Sequence, residues 1–319
     1  MERLPQKAPN GKQLYPGGHF LSYDLTTGTF EDLATAPEGE GILTMTIDCQ
    51  RGYLYGITWP LGYFIHYDLS TKILKTIGLV SAKGEAGIVG EDYRVLCRSM
   101  VVDPRDGAVY YSTSEGDIFT YCPKNGEINK LEGIDLRLDY FGQYDPTFPG
   151  SMGYNWRKIF WSPSENIAYG IHGNSGYLFG FDPKVPQIEL VERLTSEPSR
   201  KSGMFDQFSY GYLGFQLGPD GETIYYLTGG PIYIEGKRVK GADQIAKGGV
   251  RGLENLHLVT FHLPSRTYKD HGPIFYNDGN RPTYVNSIAI APDETVYTLA
   301  RFAHNGHEIQ DLVKIKSNY

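Results

Sequence analysis

Cysteine is scarce in this 319-residue chain, and basic clusters and long apolar runs are missing. The three cysteines, Cys49, Cys97 and Cys122, form no CxxC pair and no even set, so no disulfide framework is expected. Each falls in or beside an apolar, β-like run, and all three read as buried small hydrophobes. No run of five basic residues occurs and the formal net charge is -7, which argues against nucleic acid as a partner. No stretch approaches about 18 consecutive apolar residues, so no membrane-spanning helix is expected. The opening MERLPQKAPNGKQLYPGG lacks the apolar core of a signal peptide. That leaves a cytoplasmic protein, or a secreted or periplasmic one whose leader has been removed.

Helical periodicity of apolar residues is also lacking, whereas Gly (39), Pro (19) and Tyr (25) are abundant. That composition is met by short strands and many turns, and self-similarity along the chain gives them an order. Thr44 to Leu69 reads TMTIDCQRGYLYGITWPLGYFIHYDL: strand, Asp turn, strand, Gly turn, strand. The same pattern returns as SMVVDPRDGAVYYSTSEGDIFTYCP, KIFWSPSENIAYGIHGNSGYLFGFDP, LGFQLGPDGETIYYLTGG with a later LHLVTFHL, and SIAIAPDETVYTLARF with DLVKI. The turn prolines Pro104, Pro163, Pro219 and Pro292 recur at intervals of about 59, 56 and 73 residues, the length of a four-stranded blade with elaborated loops. The expected fold is therefore all-β, one β-propeller domain over 1–319 with five to seven blades, six favoured. The segment from Tyr15 matches only the back half of a unit and the C-terminal segment its front strands, so the two ends are expected to share a blade. Two insertions interrupt the rhythm, at about 133–155 and 231–255. The first, rich in aromatics, Gly and Pro, reads as an ordered loop, and the second, with Lys237, Arg238, Lys240, Lys247 and Arg251, as a mobile lid or an anion-facing flap.

No HExxH, GxSxG, P-loop, GxGxxG or EF-hand pattern is present, so candidate residues are sought by their place in the repeat. Residues flanking the first strand of each unit are unusually polar: Arg98, Arg157, Tyr212 and Asn286. Two arginines converging on one mouth would grip a carboxylate or sulfate bidentately, unless each pairs with a nearby aspartate such as Asp103 or Asp145. His172 stands where the first two units hold Thr58 and Thr113, and is followed by Gly173 and Asn174; the change of residue type marks it as a candidate acid, base or metal ligand. Trp59, next to Thr58, offers a flat face to a sugar ring or ordinary packing between blades. Arg301, His304 and His307 occupy the corresponding loop of the last unit, and no spacing among the histidines defines a zinc centre.

The runs GHFLSYDLTTGTFEDL, GEGILTMTIDCQRGYLYGITWP, NWRKIFWSPSENIAYGIHGNSGYLFGFDP and RPTYVNSIAIAPDETVYTLARF resemble the propeller lyases and hydrolases that act on uronate-containing polysaccharides, among them ulvan lyases and rhamnose-glucuronate lyases. The resemblance implies β-elimination beside a uronic acid: an arginine neutralises the carboxylate while Tyr or His groups move the protons. By that resemblance Arg157 is the neutraliser, His172 the proton-transfer residue and Tyr144 or Tyr212 the phenolic partner. Arg98, Asn286, Trp59, Asn174, Arg301, His304 and Arg251 are the substrate-binding set, and the partner is an anionic oligo- or polysaccharide. The chain departs from these enzymes where they carry histidines in earlier blades and it has Thr58 and Thr113. A non-catalytic glycan- or protein-binding propeller is the alternative, and a lactonase-type hydrolase with a divalent cation in its channel, or a merely structural cation, ranks below both.

Overall fold

The computed structural model describes residues 15–141, 144–149, 152–173, 175–185, 187–201, 214–229, 233–234, 237–238, 256–280, 282, 284–285, 287–304 and 306–315. They form a β-propeller of five antiparallel blades, preceded by a two-stranded ribbon, and fall into two compact units.

In the first unit, β1 (His19–Asp24) and β2 (Thr29–Thr35) make the ribbon. The first blade is β3 (Gly41–Asp48), β4 (Tyr53–Trp59), β5 (Tyr63–Asp68) and β6 (Ile73–Leu79), hydrogen-bonded in chain order. The second is β7 (Val101–Val102), β8 (Val109–Ser112), β9 (Asp117–Cys122) and β10 (Glu127–Asp135). The recurrent aspartates explain the turns. The Asp48 carboxylate accepts the amides of Gln50 and Arg51, and Asp68 those of Ser70 and Thr71. Asp24 and Asp103 do the same for the amides two or three residues on, so each turn carries its own acceptor.

The second unit continues with β11 (Trp156–Ser162), β12 (Ile167–His172), β13 (Tyr177–Asp182) and β14 (Gln187–Arg193), then a short helix, α1 (Glu197–Lys201). The fourth blade is β15 (Phe215–Leu217), β16 (Thr223–Thr228), β19 (His257–His262) and β20 (Thr267–Pro273), with the small hairpin β17 (Tyr233–Ile234) and β18 (Lys237–Arg238) between its two middle strands in sequence. The fifth is built from β21 (Tyr284–Val285), β22 (Ala289–Ile290), β23 (Val296–His304) and β24 (His307–Ile315). Both β21 and β22 lie along one side of β23, pairing with Ala300 and Arg301 and with Val296 and Tyr297, while β24 takes the other side, so among the described residues this blade is three strands wide. Among the described residues no helix is long and apolar enough to cross a membrane.

Cores lie between successive sheets and are built from the alternating apolar positions. Tyr169, Ile171, Phe215, Ile224, Tyr226 and Phe261 pack the third blade on the fourth, and Leu227, Leu256, Leu258, Val285 and Val296 the fourth on the fifth. Much of the tyrosine content serves this purpose: Tyr55, Tyr67, Tyr111, Tyr121, Tyr169 and Tyr226 are fully buried, each removing apolar area worth about 2 kcal/mol.

Four expectations are refined. Five blades form rather than six, and the partial N-terminal unit is the β1–β2 ribbon. The sequence pattern joins the two ends in one sheet; β1 pairs with β2 and β24 with β23, and among the described residues no ladder links these pairs. The insertion at 133–155 begins later, because Gly133 to Asp135 complete β10; its described parts include a 3-10 turn at Asp139–Phe141. Cys49 is exposed, since it sits in the turn capped by Asp48 rather than in a strand, whereas Cys97 is buried and Cys122 half-buried. Of the 231–255 insertion only β17 and β18 are described, so its reading as a lid or flap lies outside the described residues.

Candidate ligand-binding site

The first unit gathers a polar face around the connection from β6 to β7, residues 80–100. This connection is docked on the turn between β4 and β5. The Glu85 amide donates to the Pro60 carbonyl at 2.8 Å, and at Gly84 (φ +54) an added Cβ would lie 2.6 Å from the carbonyl oxygens of Pro60 and Leu61. Only glycine allows that approach. The loop also closes on itself: the Asp92 carboxylate accepts the Ile88 amide at 2.6 Å and pairs with Lys83 at 2.7 Å, and these contacts hold its carboxyl below the usual range.

Glu85 is therefore fixed, and its carboxylate joins two sequence candidates. Oε2 accepts the Trp59 indole N–H at 3.0 Å, while Oε1 accepts Arg98 Nη2 at 2.5 Å and the Leu96 amide at 3.3 Å. Beside this triad lies a second cluster. The Arg94 guanidinium donates to Glu115 and to the carbonyls of Glu91 and Tyr93, and sits 5.6 Å from the centre of the Tyr144 ring. Glu115 also accepts the Ser114 hydroxyl at 3.1 Å. Tyr93 borders the triad; its hydroxyl donates to the Pro149 carbonyl at 3.2 Å, and burial, aided by the Glu85 charge, pushes the phenol up to about 12. Burial and the Glu115 carboxylate likewise push the Tyr144 phenol up, with Arg94 opposing. Both phenols hold their protons at neutral pH, that of Tyr93 in its bond to Pro149. Beneath the face, the buried Glu40 carboxylate accepts the Thr58 hydroxyl at 2.6 Å and the Leu61 amide, bracing the turn that presents Trp59.

Trp59, Arg98 and Tyr144 are thus placed in one unit. Arg98 pairs with Glu85 rather than with Asp103 or Asp145; Asp103 holds Arg105, and Asp145 caps Thr147. The other described candidates belong to the second unit. Arg157 lies buried on β11. His172 ends β12 with no exposed surface: its ring stacks on Phe141 at 4.0 Å and 14°, and Nδ1 accepts the Ser175 amide at 3.2 Å and meets the Ser175 hydroxyl at 2.7 Å. An accepting Nδ1 puts the ring proton on Nε2. Arg301 on β23 sits 5.1 Å from the Tyr284 ring centre and 4.0 Å from Glu308. Asn174, Tyr212, Arg251 and Asn286 lie outside the described residues, as does the side chain of His304, whose backbone ends β23. Among the described residues no group of three or more His, Cys, Asp or Glu side chains is arranged to hold a metal ion.

Sequence reading missed Glu40, Glu85, Arg94 and Glu115. Glu85 had one available signal, a carboxylate flanked by Gly84 and Gly87 in a connection that is otherwise a plain loop.

No family model matches the chain, and no curated protein does. Solved structures do resemble it. A GH74 enzyme of Niastella koreensis aligns over 94% of this chain and 43% of its own at 10% identity, with a TM-score of 0.56. Hydrazine synthase of Kuenenia stuttgartiensis aligns over 87% of this chain at 11% identity and a TM-score of 0.52, and this chain spans 63% of that one. An auxiliary nutrient binding protein of Bacteroides thetaiotaomicron aligns over 94% and 69% at 12% identity, with a TM-score of 0.51. At these identities the likeness shows the fold alone, shared by enzymes and by binding proteins.

Proposed function

We propose that this propeller binds a uronate-containing or otherwise anionic glycan on the first-unit face, and that the face recognises rather than cleaves it. The observation that carries the reading is the shared carboxylate of Glu85, which fixes an indole and a guanidinium side by side. An indole offers its flat apolar surface to the C–H face of a sugar ring. Of the Arg98 donors only Nη2 is engaged among the described residues, leaving others for a carboxylate or sulfate. Tyr144 adds a phenol that keeps its proton, while the Tyr93 proton is already given to the Pro149 carbonyl. Binding suits this set better than β-elimination does, because elimination needs a group that takes the sugar proton, and the histidine expected in that role lies stacked beneath Phe141. Solved structures of similar fold include both a GH74 enzyme and a nutrient binding protein, so the fold is compatible with either outcome.

The test is calorimetric titration with a panel of uronate-containing polysaccharides, together with ultraviolet absorbance for the unsaturated uronate that elimination would release. One glycan is expected to bind with no rise in absorbance, and Trp59→Ala, Arg98→Ala and Glu85→Ala each to weaken it about tenfold, or about 1.4 kcal/mol. A rise in absorbance that Arg98→Ala abolishes would replace recognition by lyase chemistry, and unchanged affinity in all three variants would remove the face from the reading.

A further inference from the structure

The second unit contains a cleft of about 750 Å³ between β20 of the fourth blade and β24 of the fifth, with no residue in common with the polar face above. Among the described residues the fifth blade is three strands wide. In the other four blades a fourth strand follows the third, whereas in the fifth no described strand follows β24, and the cleft lies between β24, β20 and the segment Ile274–Asn277. The volume lies in the range of small-molecule sites.

Its walls are mixed, with His271 and Thr298 among the polar residues. Leu256, Leu258, Ile274, Val313 and Ile315 form an apolar floor, continuous with the core between the two blades. Lys269 and Lys314 stand exposed at the rim, with Asn277 beside them. Lys314 has no ion-pair partner within 4.0 Å among the described residues, and its ammonium sits 6.0 Å from the centre of the Tyr297 ring. The wall also holds one acid, Asp270, whose negative charge favours the lysine rim over its own side as the place for an anion. Asp270 is buried, which opposes its ionisation, yet its oxygens take His257 Nδ1 at 2.8 Å, the Glu197 amide at 2.7 Å and the Gly272 amide at 2.8 Å, and together these hold its carboxyl below the usual range. Its lone pairs are committed to the protein. Tyr276, also in the wall, has its hydroxyl buried without a hydrogen-bond partner, and burial pushes that phenol up to about 12, so it keeps a proton to donate.

We propose that this cleft is a second binding site, for a small ring-bearing organic anion: the apolar body lies on the leucine and isoleucine floor, and the anionic group meets Lys269 and Lys314 at the rim. An apolar surface combined with placed polar groups is the usual make-up of such pockets. The site is independent of the glycan reading, since Trp59 and Arg98 take no part in it.

The probe is 1-naphthoate, with 1-naphthamide as its neutral counterpart, followed by titration and by amide hydrogen exchange on the intact protein. One-site binding of naphthoate is expected, with added protection over residues 269–277 and 313–315. Lys314→Glu and Lys269→Glu, both exposed and so safe for folding, are expected to weaken it about tenfold each, the amide to bind about tenfold more weakly, and Trp59→Ala to change nothing. Protection elsewhere, or affinity indifferent to both charge reversals, would overturn the proposal. Equal binding of naphthoate and naphthamide would remove the anion from it.

Discussion

The first and third blades put different residues at one position of the repeat, the end of the second strand, and use them alike. In the first blade Thr58 Oγ1 accepts the amide of Tyr63 at 2.9 Å, where the third strand begins. In the second, Thr113 Oγ1 accepts the Asp117 amide at 3.3 Å. In the third, His172 Nδ1 accepts the Ser175 amide at 3.2 Å. A side chain at this point caps the turn that starts the next strand, and the imidazole does so while also filling space under Phe141. The substitution changes the residue type and keeps the job. A departure from a repeat therefore signals function only after the local hydrogen bonds have been counted.

The largest effect that would break this equivalence is expected at the histidine. His172→Ala removes a buried ring and the cap together, and should lower stability by about 2–4 kcal/mol in denaturant titration while leaving glycan affinity unchanged. His172→Thr, which restores the residue of the first two blades, should recover part of that loss. An unchanged midpoint in His172→Ala, with loss of a catalysed reaction, would reverse the reading. Thr58→Val should cost less, about 1–3 kcal/mol, because it frees the Tyr63 amide and strips the buried Glu40 of its hydroxyl partner. The smallest expected effect separates buried histidines by pH. Burial, with Lys75 adding, lowers the pKa of His66 from its ordinary 6.5, so the unfolded chain binds the proton more readily than the folded one. Stability is then fully present above that ordinary value and declines as pH falls through it, so the thermal midpoint should drop on acidification, and less steeply in His66→Phe.

What the sequence shows of this fold is what is local. Alternating apolar positions and aspartate turns each depend on residues two to five apart, so strands, hairpins and the repeat were legible without coordinates. Whether the two ends share a ladder was not, because pairing between strands hundreds of residues apart leaves no mark on either strand. The site divides in the same way. Trp59 and Arg98 stand out from the repeat frame, whereas Glu85, which holds both, lies in a connection with no counterpart in other units, 26 and 13 residues from its partners. Cys49 misled for a similar reason: its apolar neighbours Ile47 and Leu54 flank a turn, and a turn residue faces outward whatever its neighbours are.

The aspartate turns bear on how such a chain arises. Asp48, Asp68, Asp103, Asp220 and Asp293 each satisfy the amides of their own turn, with acceptor and donors no more than three residues apart. A turn that needs nothing from its neighbours can be copied with its strands into a new place and still close. Duplication of a blade then demands new fitting only at the packed faces and long connections.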